Sequence, residues 1–139
     1  MRLTSPRLTI VDKPDLTPAQ AAAIEARLSL PIHQDDEGPS RAWRTYDPTT
    51  LYAYFEQSSG ALVALVDAGG QDDVKPGWWV DSAFRGRGFG AEVVDLLAAK
   101  LKARGVTRIG WILIATHNQE YDAQSGKLVR RLRRHFEET

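Results

Sequence analysis

Arg85-Gly86-Arg87-Gly88-Phe89-Gly90 is the run in this 139-residue chain whose residue types and spacing point most directly to a chemistry. Before it stands a short β-prone stretch, Trp78-Trp79-Val80. After it comes an amphipathic run with apolar residues at Val94, Leu97, Ala98 and Leu101, closed by Gly105. A strand, a glycine-dense turn and a helix start make an anion site on physical grounds. Glycine allows positive φ and close backbone approach, the first-turn amides have no helical partner, and the helix dipole favours negative charge there. Arg85 and Arg87 add cationic donors that suit phosphate oxygens. A Walker A loop is excluded, because the chain contains no Gly-Lys-Ser or Gly-Lys-Thr. The dinucleotide fingerprint fits superficially as Gly86-x-Gly88-x-x-Ala91. It requires an acidic residue about 20 positions further on, and Arg108-Ile109-Gly110-Trp111 supplies none.

The elements that would position this turn are legible from pattern. Residues 8–11 form a β-prone run, stopped by Asp12, Pro14 and Asp15. Thr17 and Gln20 form a capping box around Pro18, and Ala21, Ile24 and Leu28 carry a helical spacing that ends before Pro31. Residues 31–40 read as loop, and residues 43–46 and 51–55 as aromatic, β-prone segments. Residues 57–60 make a hairpin turn into a strand at 61–66, and residues 69–73 a second turn. An apolar strand over 108–115 follows the amphipathic helix. A last helix, with Tyr121, Leu128, Leu132 and Phe136 on one side, ends near Phe136. Strands and helices mixed along one short chain make the fold α/β or α+β.

The stretch Trp79-Val80-Asp81-Ser82-Ala83-Phe84-Arg85-Gly86-Arg87-Gly88-Phe89-Gly90 resembles motif A of the GNAT superfamily of acyl-CoA-dependent N-acyltransferases. That motif is an Arg or Gln, two residues, Gly, one residue, then Gly or Ala, set between the family's fourth strand and the following helix. Arg85, Gly88 and Gly90 match position for position, and residues 109–114 are similar to the family's fifth strand. The resemblance covers residues 78 to about 118. It implies a mixed central sheet flanked by helices, with acetyl-CoA as acyl donor. Backbone groups at Val80 would pair with the pantetheine arm. Amides of Arg85, Gly86, Arg87, Gly88, Phe89 and Gly90 would cradle the coenzyme A pyrophosphate, and Asn118 fits the asparagine that follows the fifth strand. Ser125 stands where the family often has a catalytic tyrosine, with Tyr121 one turn earlier, so either is a candidate to protonate the leaving sulfur or hold a water. The sequence ends at Thr139, directly after the helix, so the expectation is a sheet without the family's last two strands, either shortened at its C-terminal side or covered there by a homodimer partner.

The remaining residues narrow the function further. No cysteine is present, which removes disulfides, thiolate nucleophiles and Cys-ligated zinc. His33, His117 and His135 are scattered and give no metal-ligand spacing. Asp72, Asp73 and Asp81 are the acids nearest the turn in sequence, and each reads as a turn or strand-end residue. Lys127, Arg130, Arg131 and Arg134 form a basic helix face that reads as solvated. With 18 basic against 18 acidic residues, the chain has no net charge to draw it to nucleic acid. Trp78 and Trp79 must face opposite sides of a strand, one in the core and the other free to line an acceptor pocket. The first ten residues hold no apolar core long enough for a signal peptide, and no apolar stretch reaches membrane-spanning length. The expectation is a single cytoplasmic domain over residues 1–139. It would move an acetyl group from acetyl-CoA to an amine, on a small molecule or a protein, by direct attack. The alternative is a non-catalytic coenzyme A-binding or protein-interaction module of the same fold.

Overall fold

The strands expected near 8–11, 51–55, 61–66 and 78–80 all form, and with one further strand they make a single sheet. A computed structural model describes residues 3–29, 43–70, 74, 76–110 and 119–137, with the backbone alone for 82 and 119–125. Strands β1 (Leu3–Thr4), β2 (Leu8–Asp12), β3 (Leu51–Glu56), β4 (Leu62–Asp67) and β5 (Gly77–Val80) lie side by side in sequence order, each antiparallel to the next. The parallel component is a bridge between Val74 and Ile109, where the Gly110 N–H donates to the Val74 carbonyl at 2.7 Å. Of the strand read over 108–115, residues 111–115 lie outside the described residues.

Helix α1 (Pro18–Leu28) starts on the capping box read from sequence. The Thr17 hydroxyl accepts the Gln20 N–H at 3.1 Å, and the Gln20 side chain accepts the Thr17 N–H at 3.0 Å. Helix α2 (Phe89–Ala103) ends at Gly105, whose φ of +89° lets the Val106 N–H turn back onto the Leu101 carbonyl. Helix α3 (Gln119–Glu137) packs on α2 through Leu128, Leu132 and Phe136.

Period-2 alternation divides the central strands between two cores. Leu51, Ala53, Phe55, Leu65 and Trp79 pack with Ile24 and Leu28 of α1. Tyr52, Tyr54, Val66 and Val80 pack under α2 and α3, with Val94, Leu97, Ala98, Leu101 and Leu132 all buried. Val93 and Leu96 are buried as well, because α3 covers the side of α2 that the sheet leaves open. The segment at 43–46 corrects the sequence reading. Residues 43–45 are helical, and Trp43 is a core anchor against α1 whose backbone carbonyl accepts the Lys13 ammonium. Four residues are too few for periodicity to separate a helical turn from a strand, and tertiary burial of one indole decides the matter.

Candidate functional site

At the end of β5 the outer backbone edge is paired by no strand among the described residues. The Asp81 N–H donates to the Val63 carbonyl at 2.8 Å, which makes Asp81/Val63 a hydrogen-bonded pair of the antiparallel ladder with β4. Pairs alternate along such a ladder, so Trp79 is bonded to β4 while the N–H and C=O groups of Trp78 and Val80 face the other edge. There the Arg85 side chain folds back and its Nε donates to the Val80 carbonyl at 2.8 Å. Arg85 thus fastens the turn to the strand, a role that the expectation of a phosphate donor did not include. The Val80 N–H is directed to the same outer edge.

Between β5 and α2 the chain makes a braced turn. Asp81 accepts the Ala83 N–H at 3.2 Å and the Phe84 N–H meets the Asp81 carbonyl, closing a 3-10 turn over Ser82–Phe84. From α1, Arg27 Nε reaches Asp81 Oδ2 at 2.8 Å and stacks over the Trp79 ring. Asp81 thereby has a structural role. Gly86 and Gly88 both have positive φ, +74° and +81°. Gly88 is the N-cap of α2 and brings no side chain to its first-turn amides. A Cβ on Gly86 would meet nothing within 4 Å. The donor set therefore fits a pyrophosphate: converging amides at the N-terminus of a helix of 15 residues, with Cβ-free positions where a ligand must come close.

Phe89 and Gly90 serve packing as well as the turn. The Phe89 ring is 1% exposed and meets Phe84 edge to face at 5.2 Å, with the exposed Arg87 guanidinium over both rings. A Cβ on Gly90 would lie 3.0 Å from Leu128 Cδ1, so glycine here admits α3.

Two further residues were invisible in the sequence. The first is Arg7, in the turn between β1 and β2. Its Nη1 donates to the Arg87 carbonyl at 3.0 Å, its guanidinium lies 3.8 Å over the Phe89 ring, and it pairs with Glu92 in the first turn of α2. Glu92 also accepts the Ser5 hydroxyl at 2.6 Å and the Arg7 N–H at 3.1 Å. Burial would raise its carboxyl pKa, but these hydrogen bonds and the Arg7 charge outweigh it and hold the group below its ordinary value.

The second is Asp67, which ends β4 directly opposite Gly77 of β5. Its carboxylate lies where a Gly77 side chain would stand, with Oδ2 2.8 Å from that ideal Cβ. Burial pushes its pKa up to about 6, against hydrogen bonds from the Gly77 and Asp67 amides. The guanidinium at this corner, Arg104, is engaged with the Tyr52 hydroxyl and the Ala68 and Gly70 carbonyls. The folded state therefore prefers Asp67 as the neutral acid. Its favourable contribution is full below about pH 4 and is lost as the pH rises through about 6, a cost of about 2 kcal/mol after allowance for partial exposure. Asp67→Asn, whose amide oxygen can still accept the Gly77 N–H, is expected to gain that amount over the wild type at pH 7.5. At pH 4 the gain should largely vanish. Urea denaturation at the two pH values checks it.

Other residues singled out in the sequence fall as follows. Tyr121 and Ser125 lie on α3, one turn apart on the same helical side; their side chains are outside the described residues. Asn118, His33, His117, Asp72 and Asp73 are outside them entirely. His135 has a contact the sequence did not show: its Nε2 meets Asp95 at 2.7 Å, beside a two-pronged Arg131–Asp95 pair at 2.8 and 2.7 Å. Arg131 is therefore ion-paired, while being exposed like Lys127, Arg130 and Arg134. Trp79 is the core tryptophan, 1% exposed, and Trp78 is half-buried on the opposite face. Among the described residues no group of three or more metal-ligating side chains converges, and no helix is long and apolar enough to cross a membrane.

A model of the acetyltransferase (GNAT) family matches residues 20–123 of the chain. No curated protein matches. Among solved structures, a candidate ribosomal-protein-serine acetyltransferase of Vibrio cholerae superposes with a TM-score of 0.63 at 18% identity, covering 95% of this chain and 82% of that one. A candidate GNAT-family acetyltransferase of Bordetella pertussis gives 0.62 at 22% identity, over 95% and 87%. An aminoglycoside antibiotic 6'-N-acetyltransferase of Acinetobacter baumannii gives 0.54 at 18% identity, over 87% and 88%. At these identities the likeness is one of fold.

Proposed function

The chain belongs to the acetyltransferase (GNAT) family, and from that premise we propose that it moves an acetyl group from acetyl-CoA to an amine by direct attack. The observation that carries this reading is the turn between β5 and α2, with Gly86 and Gly88 at positive φ and the first-turn amides of α2 uncapped by a side chain. Acetyl-CoA would supply the activated acyl thioester. The amides from Arg85 to Gly90 would hold its pyrophosphate, Asn118 would act on the same ligand, and the edge amide of Val80 would pair with the pantetheine arm.

The protein's own groups have few further tasks. An amine must reach the thioester uncharged, so its ammonium form has to lose a proton. Deprotonation relayed through water would meet that need without a dedicated carboxylate. Tyr121 or Ser125 would protonate the departing thiolate or position a water for it. The acceptor is an amine on a small molecule or a protein.

Isothermal titration with acetyl-CoA is the direct measurement, with saturable binding expected and absence of binding at millimolar coenzyme overturning the proposal. Thiol release from acetyl-CoA across a panel of amines then separates a transferase from a non-catalytic coenzyme A-binding module.

A further inference from the structure

We propose that Arg7 is a positioning residue for the coenzyme turn, an inference that rests on the coenzyme A reading of that turn. Glycine-rich backbone is entropically costly to hold in one shape, and two positive-φ glycines in three residues make this turn an unusually pliable anion site. Something outside the turn must hold it, and Arg7 is the described side chain that reaches the glycine segment's own backbone. Arg7 Nη1 bonds the carbonyl of Arg87, the residue between the two glycines. Its guanidinium plane covers Phe89, the first residue of α2. Its Nη2 lies 3.4 Å from the position a Cβ on Gly88 would take. A single planar group thus touches or borders three successive residues of the turn.

Charge gives the second half of the argument. Glu92 stands in the first turn of α2, the place where the helix dipole favours an anion. An unpaired carboxylate there would compete with a phosphate for the same positive end and repel it. Arg7 and Ser5 occupy that carboxylate from the β1–β2 turn. Arg7 therefore shapes the turn through the Arg87 carbonyl and neutralises its resident anion through Glu92. Lysine would keep the charge, but one ammonium cannot reproduce the planar fork that serves the Arg87 carbonyl, Glu92 and the Phe89 ring together.

The test uses the full chain, with acetyl-CoA titrated calorimetrically and backbone hydrogen exchange followed in the free protein. Arg7→Met is expected to bind acetyl-CoA at least tenfold more weakly. Exchange should rise at the amides of residues 86–90 and stay unchanged in α1. Arg7→Lys should lose severalfold, and should serve as the measured variant if Arg7→Met fails to fold by circular dichroism. The double variant Arg7→Met/Glu92→Gln should recover part of the loss, because the repelling carboxylate is gone; a merely structural contact would show no such recovery. If the wild-type chain binds and Arg7→Met, or Arg7→Lys in its place, binds within twofold of it, the proposal alone is overturned. If the wild-type chain does not bind acetyl-CoA, the reading of the site falls and takes the proposal with it.

Discussion

Gly88→Val is expected to weaken acetyl-CoA binding by about a hundredfold or more, roughly 2.7 kcal/mol, while the protein remains folded. At φ +81° and ψ 3° the N-cap of α2 sits in the left-handed region, where a side chain costs about 1–2 kcal/mol and a β-branched one more. The chain can relieve that strain by moving Gly88 out of this region. The amides of Phe89 and Gly90 then lose their common direction, and each charge-assisted hydrogen bond forfeited is worth about 1.5–3 kcal/mol. The new side chain would also crowd the Arg7 guanidinium. Gly86→Ala is the informative companion. It shares the positive φ but meets open space, so its effect on binding reports strain alone and should be smaller. Titration calorimetry gives the affinities, and a thermal melt confirms the fold.

A substitution two residues further on should act through a different property. Gly90→Val is expected to destabilise the protein by about 3 kcal/mol, toward the upper end of the range for overpacking a core contact. The cause is the pair of γ-methyls that valine adds beyond a Cβ already 3.0 Å from Leu128 Cδ1, which would press α3 away from α2 over the buried Leu132. Because the obstacle is the tip of one leucine, the double variant Gly90→Val/Leu128→Ala should recover more than either change taken separately would suggest. Chemical denaturation of the four proteins in the cycle measures that coupling. An additive result would show that Gly90 does not serve helix packing. Gly90→Ala, needing Leu128 to yield only slightly, should keep acetyl-CoA affinity within a few-fold of the wild type.

These two glycines show where reading a sequence stops. Both belong to the same turn and match the same motif. Gly88 is required by its own backbone dihedral, a property of the local chain. Gly90 is required by a leucine 38 positions away, which no local pattern announces. The same division separates Arg85 and Arg87 from Arg7. The first two stand beside the glycines and were candidates on sight. Arg7 comes into play only because the β1–β2 turn is carried 80 residues back onto Arg87. The four residues at 43–46 failed for the converse reason: too short for periodicity, they took their conformation from where one tryptophan found a core.

By itself, the sequence determined the elements whose stability is local: the Thr17–Gln20 capping box, the Gly105 stop, the alternating strands around the Gly60 turn, and the glycine turn ahead of α2. Each depends on dihedral preferences and hydrogen bonds that reach only a few residues. Tertiary structure decided which tryptophan is core, that Asp81 is tied to Arg27, that burial raises the Asp67 pKa to about 6, and that Arg7 and Glu92 pair beside the glycine turn. Those outcomes depend on burial and on charges brought together from distant segments. Desolvation and long-range pairing have no value until the chain is folded.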